Sequence, residues 1–207
     1  MSAIFDLRAY ADSRGIPTLV LADMQREYVA TPRGLAIRGI ARALANCRVA
    51  LAHARATGIP VAFSRWTGRS TFFNRATPFA GWIEGFEPLP SDMIFERERP
   101  SCYANENFSD MLQYAGGHMV LAGFAGESAC LSTIVDAFHR DHRITYLADA
   151  SASHDLGDVT AADVHRAVSG IAGLYANVLE TERWIASTSR YEAGMGGANG
   201  RWLQRET

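Results

Sequence analysis

Short apolar runs alternate with stretches of helical period along almost the whole chain, and this alternation limits the fold more than any other feature. The runs are Pro17–Ala22, Val61–Phe63, Met93–Phe95, Met119–Ala122 and Ile144–Ala148, with a last short strand expected within 177–186. They are brief and apolar, as strands buried on both faces are. Helices are expected between them at about 35–57, 107–114, 128–140 and 160–175. The first carries Ile37, Ile40, Leu44, Cys47, Leu51 and Ala54 at spacings of three and four, and Gly58 followed by Pro60 stops it. The third is expected to bury Leu131, Ile134, Val135 and Phe138. The fourth begins at Thr160, a cap with an acid, Asp163, three residues on. The stretch 66–92 has no period and is rich in aromatics, Gly and Pro, as an excursion covering a site would be.

Strand alternating with helix predicts an α/β fold, a three-layer Rossmann-like arrangement of a parallel sheet flanked by helices. Ligands of such sheets bind beyond the carboxyl ends of the strands, where strand order reverses. Asp23 follows the first strand, Arg97 the third and Gly123–Cys130 the fourth. These positions are where chemistry is expected.

At 207 residues the chain has room for one domain, taken here as 1–186, with a glycine-rich tail over 187–207. A net charge of −2 gives no electrostatic case for nucleic acid or an anionic membrane surface. No apolar run approaches the ~18–20 residues that span a bilayer. The first fifteen residues carry acids and no apolar signal core, so a cytoplasmic protein is expected. All 20 basic residues are arginine, and base composition is the simpler cause. The consequence is still chemical: no lysine can form a Schiff base or shuttle a proton. Cys47, Cys102 and Cys130 are too few and too scattered for a disulfide framework or a zinc site. The histidines at 139, 142, 154 and 165 fall at no ligand spacing on a helix face, and no phosphate loop is present. Neither a metal nor a cofactor is expected.

Three segments together resemble the isochorismatase-like hydrolases, the cysteine hydrolase superfamily. Leu19-Val-Leu-Ala-Asp23-Met-Gln25 looks like the family's apolar strand ending in Asp-x-Gln. Ile94-Phe-Glu-Arg97 through Tyr103 looks like its strand, lysine and later aromatic residue. Val120-Leu-Ala-Gly123 through Asp136-Ala137, followed by Asp149-Ala-Ser-Ala-Ser153, matches the nucleophile-turn block. The resemblance spans roughly 17–186. It implies a six-stranded parallel sheet, usually in a homo-oligomer, acting on a small molecule. Many members are amidohydrolases with an Asp, Lys and Cys triad. A branch lacks the cysteine and hydrolyses a vinyl ether, with the Asp as proton donor.

Two triad positions differ here. The nucleophile position, sixth after Gly123, is Ala129, and Cys130 comes one residue later. The lysine position is Arg97, which keeps the charge but cannot release a proton near neutral pH. One residue of helix is about 100° of rotation, so Cys130 is expected to face the sheet as a packed thiol. A local irregularity could instead re-aim it as the nucleophile. Asp23 is expected to be the general acid or base and Arg97 its partner. Gln25, Trp66 and Tyr103 are expected at the substrate, with backbone amides around Ala125, Gly126 and Ala129 receiving negative charge. Arg65, Arg69 and Arg75 would suit a substrate carboxylate or simply face solvent. The expected activity is hydrolysis of a small cyclic or unsaturated carboxylate, or its amide, without a cysteine nucleophile. The alternatives are a cysteine amidohydrolase using Cys130 and a non-catalytic binding or assembly member of the fold.

Overall fold

The computed structural model describes residues 16–188. Six strands form one sheet: β1 (Thr18–Ala22), β2 (Val61–Trp66), β3 (Met93–Arg97), β4 (His118–Gly123), β5 (Arg143–Ser151) and β6 (Asn177–Leu179). Their order is β3-β2-β1-β4-β5-β6, and every pairing is parallel. The helices are α1 (Ala41–Thr57), α2 (Glu106–Tyr114), α3 (Leu131–Phe138) and α4 (Ala161–Ala172), and residues 181–188 are also helical. The expected α/β sheet is therefore present, and β1 and β4 are neighbours as the shared crevice requires. The glycine-rich segment 192–200 lies outside the described residues.

The alternation of side chains along β1 divides the core. Leu19 and Leu21 pack on one face with Leu44, Cys47, Leu51 and Ala54 of α1. Val20 packs on the other with Phe108 and Leu112 of α2 and with Ile134 and Ala137 of α3. Both faces are covered, which explains why β1 reads as one apolar run rather than as an alternation.

Two helices differ from the sequence expectation, each for a local reason. The apolar stripe of the first helix is buried from Ile37 onward, but the helix begins only at Ala41. Gly39 has a φ of 71°, outside helical geometry, and the Ile37 N–H is used by the Tyr28 carbonyl. The third begins as a wide π turn over Gly126–Cys130 before α3. That turn shifts the buried face to Thr133, Ile134 and Ala137, leaving Phe138 exposed and Leu131 and Val135 only partly covered. Other signals act as read. Gly58, with a φ of 71°, ends α1, and the Thr160 hydroxyl accepts from the Asp163 N–H at 3.2 Å.

The strand order reverses between β1 and β4, so a crevice opens beyond their carboxyl ends. Register brings the relevant residues to it: Ala22 pairs with both Ser64 and Gly123, and Trp66 with Arg97. The excursion 67–92 is stitched over this end. Arg26 N–H donates to Gly81 O at 2.9 Å and Ile83 N–H to Met24 O at 2.9 Å.

Gly123 is the tightest point of the junction. Its φ is 115°, and a Cβ there would lie 2.1 Å from the Ala22 carbonyl oxygen. Backbone cannot yield that distance, so Gly123→Ala is expected to destabilise the fold by at least ~3 kcal/mol. Urea unfolding checks this; a variant as stable as the wild type would show that β1 and β4 are not so closely joined.

Candidate active site

Asp23 leaves β1 with a φ of 50° and is completely buried. Its Oδ1 accepts the Trp66 N–H at 2.8 Å. Its Oδ2 lies 2.8 Å from Nη2 of Arg97, whose side chain is also fully buried. This ion-pair contact is not an aligned hydrogen bond: both Oδ2 and Nη2 are left without a hydrogen-bond partner among the described residues. The other Arg97 nitrogens are committed, Nε to Ser64 Oγ at 3.0 Å and Nη1 to Arg99 O at 2.7 Å. Burial raises the Asp23 carboxyl above its ordinary value, against the opposing pull of Arg97 and the Trp66 N–H. Burial also works against the Arg97 charge, but the facing Asp23 more than restores it, and Arg97 stays a cation.

Trp66 joins this pair to a cavity of about 530 Å³. Its N–H holds Asp23 while its ring, stacked on Phe73 at 5.6 Å, lines the cavity with Tyr28 and Phe72. The Arg97 guanidinium lies 5.5 Å from the Trp66 ring centre, so the indole roofs the ion pair. Larger hollows of about 720 and 710 Å³ lie beside residues 29–40 and beside Ser151, Ser153 and His165. They include neither Trp66 nor Tyr28, so the smaller cavity is the one bounded by the residue whose N–H holds Asp23.

The remaining expected residues divide. Ala125 lines the cavity. The Gly126 N–H is spent on Ala152 O at 2.8 Å, and the Ser128 and Cys130 N–H groups both donate to Ala125 O at 3.2 Å. Gly126 thus offers no free donor, contrary to expectation. Among the described residues no hydrogen bond uses the Ala125 N–H. Gln25 is spent as well: its Nε2 donates to the carbonyls of Trp66 and Ala80, and its Oε1 accepts from the Trp66 N–H. It fastens the excursion rather than facing substrate. Tyr103 packs on Phe108 at 5.1 Å, and its hydroxyl lies 2.7 Å from His142 Nδ1, so the structure does not bring it to the cavity. Arg65 and Arg75 both engage Glu96 and are not presented to a substrate anion.

Ala129 and Cys130 are both fully buried in the core beneath the turn. The π turn is a one-residue irregularity of the kind that could re-aim Cys130. Its thiol nonetheless points to Gly123 O at 3.5 Å and Ser151 Oγ at 3.7 Å. Burial pushes the thiol well above its usual range, away from the thiolate a nucleophile needs.

Three cavity residues escaped the sequence reading. Tyr28 is nearly buried and sits where the charges of Asp23, Arg97 and Glu127 all act on it. Glu127 stands on the π turn with its Oε1 2.7 Å from His154 Nδ1. The other ring nitrogen of His154 lies 3.0 Å from the Leu35 carbonyl. With an acceptor at each nitrogen, the ring satisfies both only as an imidazolium. The strand-end rule could have found His154, since it directly follows the Asp149–Ser153 segment at the end of β5.

This pairing predicts a pH signature. The hydrogen bond to Glu127 raises His154 above its ordinary 6.5. Burial alone would raise Glu127, but His154 outweighs it and leaves the acid below its ordinary 4.5. The stability due to Glu127 is present above 4.5 and lost as pH falls through its folded value; that due to His154 is present below 6.5 and lost as pH rises through its folded value. The contribution of the pair is therefore complete between those two values. In Glu127→Gln, imidazole NMR is expected to show His154 titrating at lower pH than in the wild type. An unchanged titration would mean that the pair does not form in solution.

Residues 17–183 match the family described as the isochorismatase domain. The ureidoacrylate amidohydrolase RutB of Pseudomonas syringae pv. syringae is 26% identical over 173 residues, 66% of this chain and 71% of that protein. The crystal structure of an isochorismatase from Pseudomonas putida KT2440 superposes with a TM-score of 0.75 at 28% identity, covering 86% of this chain and 96% of the other. A cysteine hydrolase from Pseudomonas syringae pv. phaseolicola 1448A, at 24% identity and a TM-score of 0.74 over 82% and 91% of the two chains, shares the fold.

Proposed function

We propose, from the premise that this chain belongs to the isochorismatase family and is a hydrolase, that it works without a cysteine nucleophile and that Asp23 carries the reacting proton. The observation that carries this reading is the state of Asp23. The carboxyl is buried, raised by that burial, and has one oxygen held by the Trp66 N–H while the other has no aligned hydrogen bond. A carboxyl that resists ionisation beside a fixed cation is suited to give up a proton as substrate charge develops. Arg97 holds the carboxylate that this transfer leaves behind. Ala129 offers no nucleophile, and the Cys130 thiol is turned into the β4 and β5 ends.

The substrate in this reading is a small cyclic or unsaturated carboxylate, or the amide of one. The stacked Trp66 and Phe73, with Tyr28 and Phe72, form walls suited to a planar or cyclic group. The resemblance to a ureidoacrylate amidohydrolase keeps C–N hydrolysis beside vinyl-ether hydrolysis. Asp23 is closed off from the cavity, so catalysis requires the Trp66–Phe73 stack to part when substrate enters.

The test is hydrolysis of a panel of enol-ether carboxylates, primary amides and ureidoacrylate. Wild-type protein is expected to turn over at least one of them. Asp23→Asn should then lose ~10²–10⁴-fold in kcat while still binding in calorimetry, because Asn keeps the shape but carries no proton. Cys130→Ala should retain most turnover. Binding without turnover across the panel would favour a non-catalytic member of the fold. Loss of turnover in a folded Cys130→Ala, with Asp23→Asn active, would favour the cysteine route.

A further inference from the structure

We propose that Glu127, held as a carboxylate by His154, is the general base that activates the hydrolytic water, opposite Asp23 as the acid. The inference rests on the reading of Asp23 above and adds the second half of the reaction. Without a protein nucleophile, water must attack, and some group must take its proton. Glu127 has the required position. It lines the same 530 Å³ cavity, from the turn after β4, while Asp23 lies behind the wall at the end of β1. Asp23 follows β1 and Glu127 stands in the turn after β4, adjacent parallel strands whose carboxyl ends open on one crevice.

The hydrogen bonding of Glu127 also fits. Oε1 is occupied by His154 Nδ1 at 2.7 Å, and Oε2 makes no hydrogen bond among the described residues. A buried carboxylate oxygen without a donor is costly unless a ligand or water supplies one. His154 cannot itself be the base, because the Leu35 carbonyl and Glu127 occupy both its nitrogens. Its role is positioning: it holds Glu127 ionised and aims it. Around the pair stand the Ser153 hydroxyl beside Glu127, the Tyr28 ring 5.9 Å from that of His154, Tyr146 within the field of Glu127, and Asp155 near His154, which adds to the positive character of the ring.

The two carboxyls are driven apart. Burial raises Asp23, and His154 lowers Glu127. Two acids whose surroundings separate them in this way divide into a proton donor and a proton acceptor. The step balances. Glu127 takes a proton from water, and the water oxygen bonds to the substrate carbon that bears the leaving group. That carbon's bond to oxygen or nitrogen breaks, and Asp23 supplies the proton the departing fragment gains. In the vinyl-ether case the Asp23 proton goes first to the alkene carbon, and water then adds to the neighbouring cationic carbon. The hydroxyl of the adduct then gives up its proton while the leaving oxygen gains one, and the bond between that oxygen and the carbon breaks to release the two products. Water is consumed, and the proton on Glu127 returns to Asp23 through solvent.

Kinetics on the panel substrate turned over by the wild type test this. The profile of kcat/KM against pH is expected to be bell-shaped, with the acidic limb due to Glu127 and the basic limb to Asp23. Glu127→Gln should lose ~10²–10⁴-fold in kcat and the acidic limb with it, and Glu127→Asp should recover part of the loss. His154→Gln should move the acidic limb to higher pH, an effect that a merely structural role would not produce. Thermal unfolding of each variant separates lost chemistry from lost fold. If Glu127→Gln keeps activity within threefold of wild type, or if the limb stays in place in a folded His154→Gln, the inference is overturned. Asp23→Asn run in parallel distinguishes the failures. An inactive Asp23→Asn with an active Glu127→Gln removes only the base, whereas an active Asp23→Asn removes the reading on which it rests.

Discussion

The site is organised around one buried ion pair. Asp23 and Arg97 face each other at 2.8 Å with both side chains out of water. Attraction between buried charges is strong, but so is the cost of desolvating them, and a pair of this kind is weak evidence for stability. Removing one partner is a different matter, since an uncompensated buried charge costs about 3–5 kcal/mol. Here burial raises the Asp23 carboxyl above its ordinary value even with Arg97 beside it. Asp23 therefore contributes stability below its ordinary 3.8 that is lost as pH rises through its folded value. Such a group is better explained by proton transfer than by holding the fold together.

The rest of the crevice serves this pair. Parallel register between β2 and β3 sets Trp66 beside Arg97, and pairing of β1 with β2 sets Ser64 beside Ala22. The Trp66 N–H and Ser64 hydroxyl then fix Asp23 and Arg97 respectively. The Trp66 ring covers them, and Phe73 stacks on that ring. Gln25 ties Trp66 to Ala80 and so fastens the excursion to the strand ends. A change at any of these residues would be felt at the carboxyl through one or two contacts.

The architecture was legible because buried strands and helix stops have strong local signatures. The run ending at Ala22, the Gly58 stop and the Thr160 cap all act where the residues say they should. The strand-end placement of Asp23 and Arg97 was legible: Asp23 directly follows β1, and Arg97 is the last residue of β3. At Gln25, Tyr103 and Gly126 strand-end position does not reveal that the polar group is already engaged within the fold. Gln25 is consumed by Trp66 and Ala80, Tyr103 by His142, and Gly126 by Ala152. The Glu127–His154 pair was hidden for the opposite reason. Its members are 27 residues apart and meet only when the turn after β4 closes against the end of β5.

The central claim is that Asp23 is held toward its protonated form beside a permanent cation. Carboxyl-carbon NMR of protein labelled at aspartate, with Asp23→Asn used to assign the resonance, measures this directly. The predicted result is a carboxyl that titrates above the ordinary 3.8. A carboxyl that stays ionised to pH values below 3.8 would show that Arg97 wins over burial, and would contradict Asp23 as the proton donor.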